Sequence, residues 1–137
     1  MTIAKKYGLT FRTILTPRGS LSPTVDISKD ANGDLNRGIA FYLANIGSTD
    51  AQNLIDWLPV FYTERDPNDD MVVNYPVMGD DIGFYINQNT LYPNTSIDAF
   101  YATFNYGGTK SNVPVKDLIS LLDEWKNYLI SMGIKGS

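Results

Sequence analysis

The sequence contains no histidine and no cysteine, and each absence removes a class of chemistry. Without cysteine there are no disulfides, thiol nucleophiles or thiolate metal sites. Without histidine the commonest general base and the commonest metal ligand are both missing. No apolar run approaches the roughly 18 residues that a membrane-crossing helix needs. The first residues, MTIAKKYGLTFRTIL, carry two lysines but lack the apolar stretch of about 7 to 15 residues that marks a signal peptide. The expected setting is the cytoplasm, or that of a domain whose leader has been removed, with no membrane contact. One further absence is local. From Asp66 to Thr109 there is not a single Lys or Arg.

What is present describes an ordinary globular chain. Its 137 residues fit one domain, 1–137, large enough to bury a core, and its 43% hydrophobic content argues against disorder. Nine tyrosines and six phenylalanines favour a sheet-rich fold. The formal charge is −4, which disfavours direct nucleic-acid binding through phosphate repulsion. The distribution says more than the total. Glu64, Asp66, Asp69, Asp70, Asp80, Asp81 and Asp98 stand against Arg65 alone, a net −6 between Glu64 and Asp98, and the rest of the chain is about +2.

Hydrophobic patterning gives the element plan. LTFRTIL, Leu9 to Leu15, is β-branched and aromatic and stops at the turn-forming TPRGSLSP. Thr24–Ser28 alternates, Asn32-Gly33 is a hairpin signal, and Arg37–Ile46 is the most apolar strand candidate and expected to be central; if it pairs with Thr24–Ser28, Asn32-Gly33 lies near the hairpin tip. The next segment has two readings. In the preferred one a short helix near residues 49–58, capped by Ser48, Thr49 or Asp50, ends at Pro59 before a strand VFYTE. In the other, Leu54–Glu64 is one irregular strand. MVVNYPV, IGFYIN and SIDAFYATFNY read as three more strands.

The last segment changes period. Leu118, Leu121, Leu122, Trp125, Leu129 and Met132 recur at spacings of three and four, Pro114 suits the helix start and Gly133 a left-handed cap. Trp125 belongs to the apolar stripe and hence to the core. The predicted fold class is α+β, a mostly antiparallel β-sheet packed against a long C-terminal helix.

Chemistry in the acidic band is weighed residue by residue. A glycosidase needs two acids across one bond, yet the aspartates fall mostly beside Gly, Asn and Pro, where turn hydrogen bonds explain them. The chain is therefore expected not to be an enzyme. Asp66, Asn68 and Asp70 match the opening of a calcium loop, but Met71 and Val77 occupy the positions that need Gly and Glu. An Asp/Asn/Pro turn is the reading there, with no metal and no cofactor. Strand parity separates Phe100, Ala102 and Phe104 from Tyr101, Thr103 and Asn105, which leaves a phenol-bearing set for the outer face. Tyrosines rimmed by carboxylates suit an interface for a basic partner.

The stretch VPVKDLISLLDEWKNYL resembles the closing segment of many small bacterial immunity proteins of contact-dependent growth inhibition and related polymorphic toxin systems. The matching positions are Leu118, Leu121, Leu122, Glu124, Trp125, Tyr128 and Leu129. That resemblance implies a cytoplasmic antitoxin that binds and blocks one toxin domain, commonly a nuclease, and it assigns no interface residue. From the charge pattern, the partner-binding candidates are Glu64, Asp66, Asp69, Asp70, Asp80 and Asp81, with Tyr75, Tyr85 and Tyr92 as anchors against a basic protein surface. Two other functions fit the composition: a structural or adaptor protein of a phage or secretion system, and a carbohydrate-binding module.

Overall fold

A computed structural model describes residues 2–64, 71–72, 82–86 and 100–134, with side chains for 2–60 and 101–134. The described elements are α1 (Ile3–Lys6), β1 (Leu9–Leu15), β2 (Leu21–Ile27), α2 (Arg37–Ala44), α3 (Ser48–Glu64), β3 (Met71–Val72), β4 (Ile82–Ile86), β5 (Phe100–Tyr106), β6 (Thr109–Pro114) and α4 (Val115–Ser131). The class is α+β, as the sequence predicts. All strand pairings are antiparallel, in a two-stranded sheet β1-β2 and a four-stranded sheet β3-β4-β5-β6.

α4 is the central element. Val115, Leu118, Leu121, Leu122, Trp125 and Leu129 are buried on its apolar stripe, and α3, α1, β5 and β6 all pack against it. Its end closes as the Gly133 signal predicts. Gly133 N–H donates to Ile130 O and Ile134 N–H donates to Leu129 O, both at 3.0 Å, which takes up two terminal carbonyls. Met132 departs from the predicted stripe: it is the residue after the last helical turn and lies 39% exposed.

The segment Arg37–Ile46 is a correction. It is not a strand; Arg37–Ala44 forms α2, and Ile39, Tyr42, Leu43 and Ile46 are buried at helical spacing. A continuous apolar run bounded by turn residues has no visible period, so it fits a buried strand and a buried helix equally well. β2 accordingly pairs with β1, from Leu9↔Ile27 to Leu15↔Leu21. The hairpin tip is Thr16–Ser20, where Thr16 N–H donates to Ser20 O at 2.8 Å. Asn32-Gly33 lies instead in a loop organised by Asp30, whose Oδ1 accepts from Asn32 N–H and Asp34 N–H. Asp30 Oδ2 also accepts from the buried Asn36 side chain, which donates in addition to Tyr7 O at 2.8 Å and so joins this loop to the end of α1.

α3 is longer than predicted and passes through Pro59, so VFYT continues the helix and is not a strand. Ala51, Leu54 and Leu58 are fully buried on the face packed against α4. Proline costs a helix one N–H and a steric clash, roughly 3 kcal/mol, and the packing of this face outweighs it. Residues Thr109–Pro114, which carry no clear strand signal, form β6 through the two-residue turn Gly107–Gly108. Both turn residues have positive φ, the geometry that a tight hairpin requires. Gly8 is needed for a different reason: its φ is +71° and a Cβ there would lie 2.1 Å from Ser28 O.

Candidate functional site

The acidic band lies mostly outside the described residues. Asp66, Asp69, Asp70, Asp80, Asp81, Tyr75 and Tyr92 fall there, as does the Asp66, Asn68, Asp70 turn. Glu64 is the last residue of α3. Tyr85 is in β4, opposite Tyr101 of β5 in the register. The neighbouring strands are placed: Met71 pairs with Phe84 and Val72 with Gly83. In the sequence these residues flank α3, β3 and β4, and β3 and β4 are the strands of the four-stranded sheet farthest from β6.

Parity on β5 follows the prediction. Ala102 and Phe104 are buried, whereas Tyr101 and Thr103 are half-buried and Asn105 is exposed. On the outer side Thr103 Oγ1 donates to Asn112 Oδ1 at 2.8 Å, tying β5 to β6. Thr103, Asn105, Lys110 and Asn112 make this side polar, with Tyr101 as its ring.

Elsewhere the charged side chains serve the fold. Glu124 is one of the chain's two glutamates, and both its carboxylate oxygens are occupied. They accept from Ile3 N–H at 2.9 Å and Ala4 N–H at 3.0 Å, anchoring the start of α1 to α4. Asp117 accepts from Tyr7 Oη at 2.6 Å and pairs with Lys6 at 2.9 Å. Burial pushes the Asp117 carboxyl up, but the hydrogen bonds from Tyr7 and Lys6 outweigh it and hold the group below its usual range. Burial, and then the Asp117 hydrogen bond and charge, raise the Tyr7 phenol well above its ordinary value. Among the described residues no group of three or more acidic side chains is placed to hold a metal ion.

The sign of the Tyr7 effect sets an expected outcome. A phenol whose folded-state pKa is raised stabilises the fold below the unfolded value, about 10, and that contribution is lost as pH rises beyond it. The wild type should therefore lose denaturation midpoint between about pH 10 and 12. Tyr7→Phe should start lower near neutral pH and show a flatter alkaline slope. Equal slopes in urea titrations across that range would remove Tyr7 as the cause.

Among the described residues no helix is long and apolar enough to cross a membrane. Comparison with family models, curated proteins and solved structures finds no match.

Proposed function

We propose that the chain is a non-enzymatic binding protein, an immunity protein that binds and neutralises a cognate bacterial toxin domain of the nuclease class through its acidic segment. The observation that carries this reading is the charge segregation: a net −6 between Glu64 and Asp98 on a chain whose remainder is about +2. Nucleases present a cationic cleft to phosphates, and a carboxylate-rich surface supplies the same charge to that cleft without being a substrate. The strands β3 and β4, which interrupt the acidic stretches, belong to the same sheet as β5. Engagement of Glu124 by backbone N–H groups supports a structural role for that carboxylate, in keeping with a protein that binds and does not catalyse.

Affinity capture with the tagged chain from its source bacterium tests the reading. A stoichiometric partner should appear whose bound domain is basic and toxic when expressed without this chain. Recovery of virion or secretion-apparatus components instead, or binding to immobilised glycans with no protein partner, would contradict it.

A further inference from the structure

α1 has 4 residues, Ile3–Lys6, too few for a helix to keep its own shape, since a first turn fixes several dihedrals for one hydrogen bond. Two carboxylates of α4 hold it. Glu124 accepts from Ile3 and Ala4 N–H at its start, and Asp117 accepts from Lys6 Nζ and Tyr7 Oη at its end. Residues 117 and 124 lie about two turns apart on one face of α4, so α1 runs antiparallel along that face. Both acids are half-buried, and each takes two hydrogen bonds that its charge strengthens. Apolar packing adds Ala4 and Tyr7, which are buried, and Ile3, which is half-buried.

The chain after α1 is anchored without it. Ser28 N–H donates to Gly8 O at 2.8 Å, and the β1–β2 ladder begins at once with Leu9↔Ile27. Gly8, at φ +71°, is the joint where the backbone passes from helix to strand. Asn36 Nδ2 also donates to Tyr7 O at 2.8 Å, and it keeps its bond to Asp30 when that one breaks. Thr2, Ala4 and Lys5 form part of the wall of a groove of about 520 Å³, which Phe11 and Tyr128 also line. Departure of α1 therefore removes one wall of that groove.

We infer that α1 is a carboxylate-clamped strap, which leaves α4 as a unit and opens the groove when Glu124 and Asp117 take up protons, with the rest of the fold intact. A protonated carboxyl loses its charge and turns an O–H donor towards groups that are themselves donors. Lys5 lines the groove together with Glu124, Lys6 and Lys116 act on Asp117, and Asp30 acts on Tyr7. The other charges on neighbouring elements are engaged elsewhere: Arg12 with Asp26, Asp123 with Lys126, and Asp56 with Gln52. Lys110 of β6 lies on the outer side of the sheet. Against burial, which raises it, the Tyr7 and Lys6 hydrogen bonds hold the Asp117 carboxyl below its usual range. Its stabilisation is thus complete above the unfolded value, about 3.9, and is lost as pH falls through the lower folded one. The strap is separate from the acidic segment and does not depend on the function proposed for it.

Native-state hydrogen exchange on the full chain tests it, because each substitution should be felt at the far end of α1. At neutral pH, Glu124→Gln should speed exchange of Tyr7 N–H, which bonds inside the strap to Ala4 O, by about tenfold. Asp117→Asn should speed exchange of Ile3 and Ala4 N–H by about as much, and so should Lys6→Met combined with Tyr7→Phe, which leaves α4 untouched. The amides of Leu121 and Trp125 in α4 should stay within about twofold of the wild type throughout. In acid, after correction for the intrinsic rate, wild-type protection of α1 should fall between about pH 5 and about pH 3 towards that of Glu124→Gln/Asp117→Asn, whose own profile should stay flat. Effects confined to the substituted end of α1 would overturn the inference, as would a wild-type acid profile as flat as the double variant's. Loss of protection at Leu121 and Trp125 together with α1, in the variants or in acid, would overturn it as well, since the strap would then open only with the whole fold.

Discussion

If the chain has the immunity function proposed above, reversing Asp69, Asp70, Asp80 and Asp81 to Lys should slow association with the toxin domain by about an order of magnitude or more and abolish protection of cells that carry the toxin. The substitution changes the segment's charge by about +8, turning a net −6 band positive. Long-range attraction to a cationic cleft then becomes repulsion before any contact forms. The fold should survive, because the sequence pattern assigns these carboxylates to turns, where surface substitutions change stability by within about half a kcal/mol each. The readouts are the melting temperature, the association rate and growth under toxin expression. Folded mutant protein that still protects would remove the acidic segment from the interface.

Trp125→Ala should cost about 3–5 kcal/mol in a urea titration, a large part of the stability of a domain of this size. The ring is fully buried, stands edge-on to Phe11 and stacks on Tyr128 at 5.9 Å. Its indole N–H donates to Ile46 O at 3.0 Å, linking α4 to the segment after α2. Alanine removes the ring from the junction of the hairpin and two helices and takes away the partner of a buried carbonyl. Trp125→Phe, which keeps most of the volume and loses the N–H, should fall between. A Trp125→Ala protein with an unchanged melting temperature and no partner binding would make the ring an interface anchor instead.

How far such features were legible depended on whether their signal was local. α4 is legible because five apolar positions, Leu118 to Leu129, and two terminal residues agree on one helix, and the burial of Trp125 follows from its place in that stripe. β1 and the parity of β5 were also legible, since alternation and β-branched content are local properties. Arg37–Ile46 was not, because an all-apolar run loses its period. Nor was the course of α3 through Pro59, where packing against α4 overrides a local stop signal. Partner choice is the least local property: Thr24–Ile27 is strand as the alternation predicts, but that strand begins at Leu21, inside the stretch read as a turn, and its partner lies upstream of it. Glu124 could be picked out as a matched position, yet its task is visible only once α1 is folded against it. The candidate acidic residues were legible as charge alone, and most of them lie outside the described residues.

Rapid-mixing association between the wild-type chain and the toxin domain recovered with it, across roughly 0.02 to 0.5 M salt, tests charge-driven binding most directly. Screening shortens the reach of the acidic segment from tens of ångströms to a few over such a range. The account predicts an association rate that falls by about tenfold or more as salt rises, with a much smaller change in dissociation. A rate that stays flat from low to high salt would contradict it.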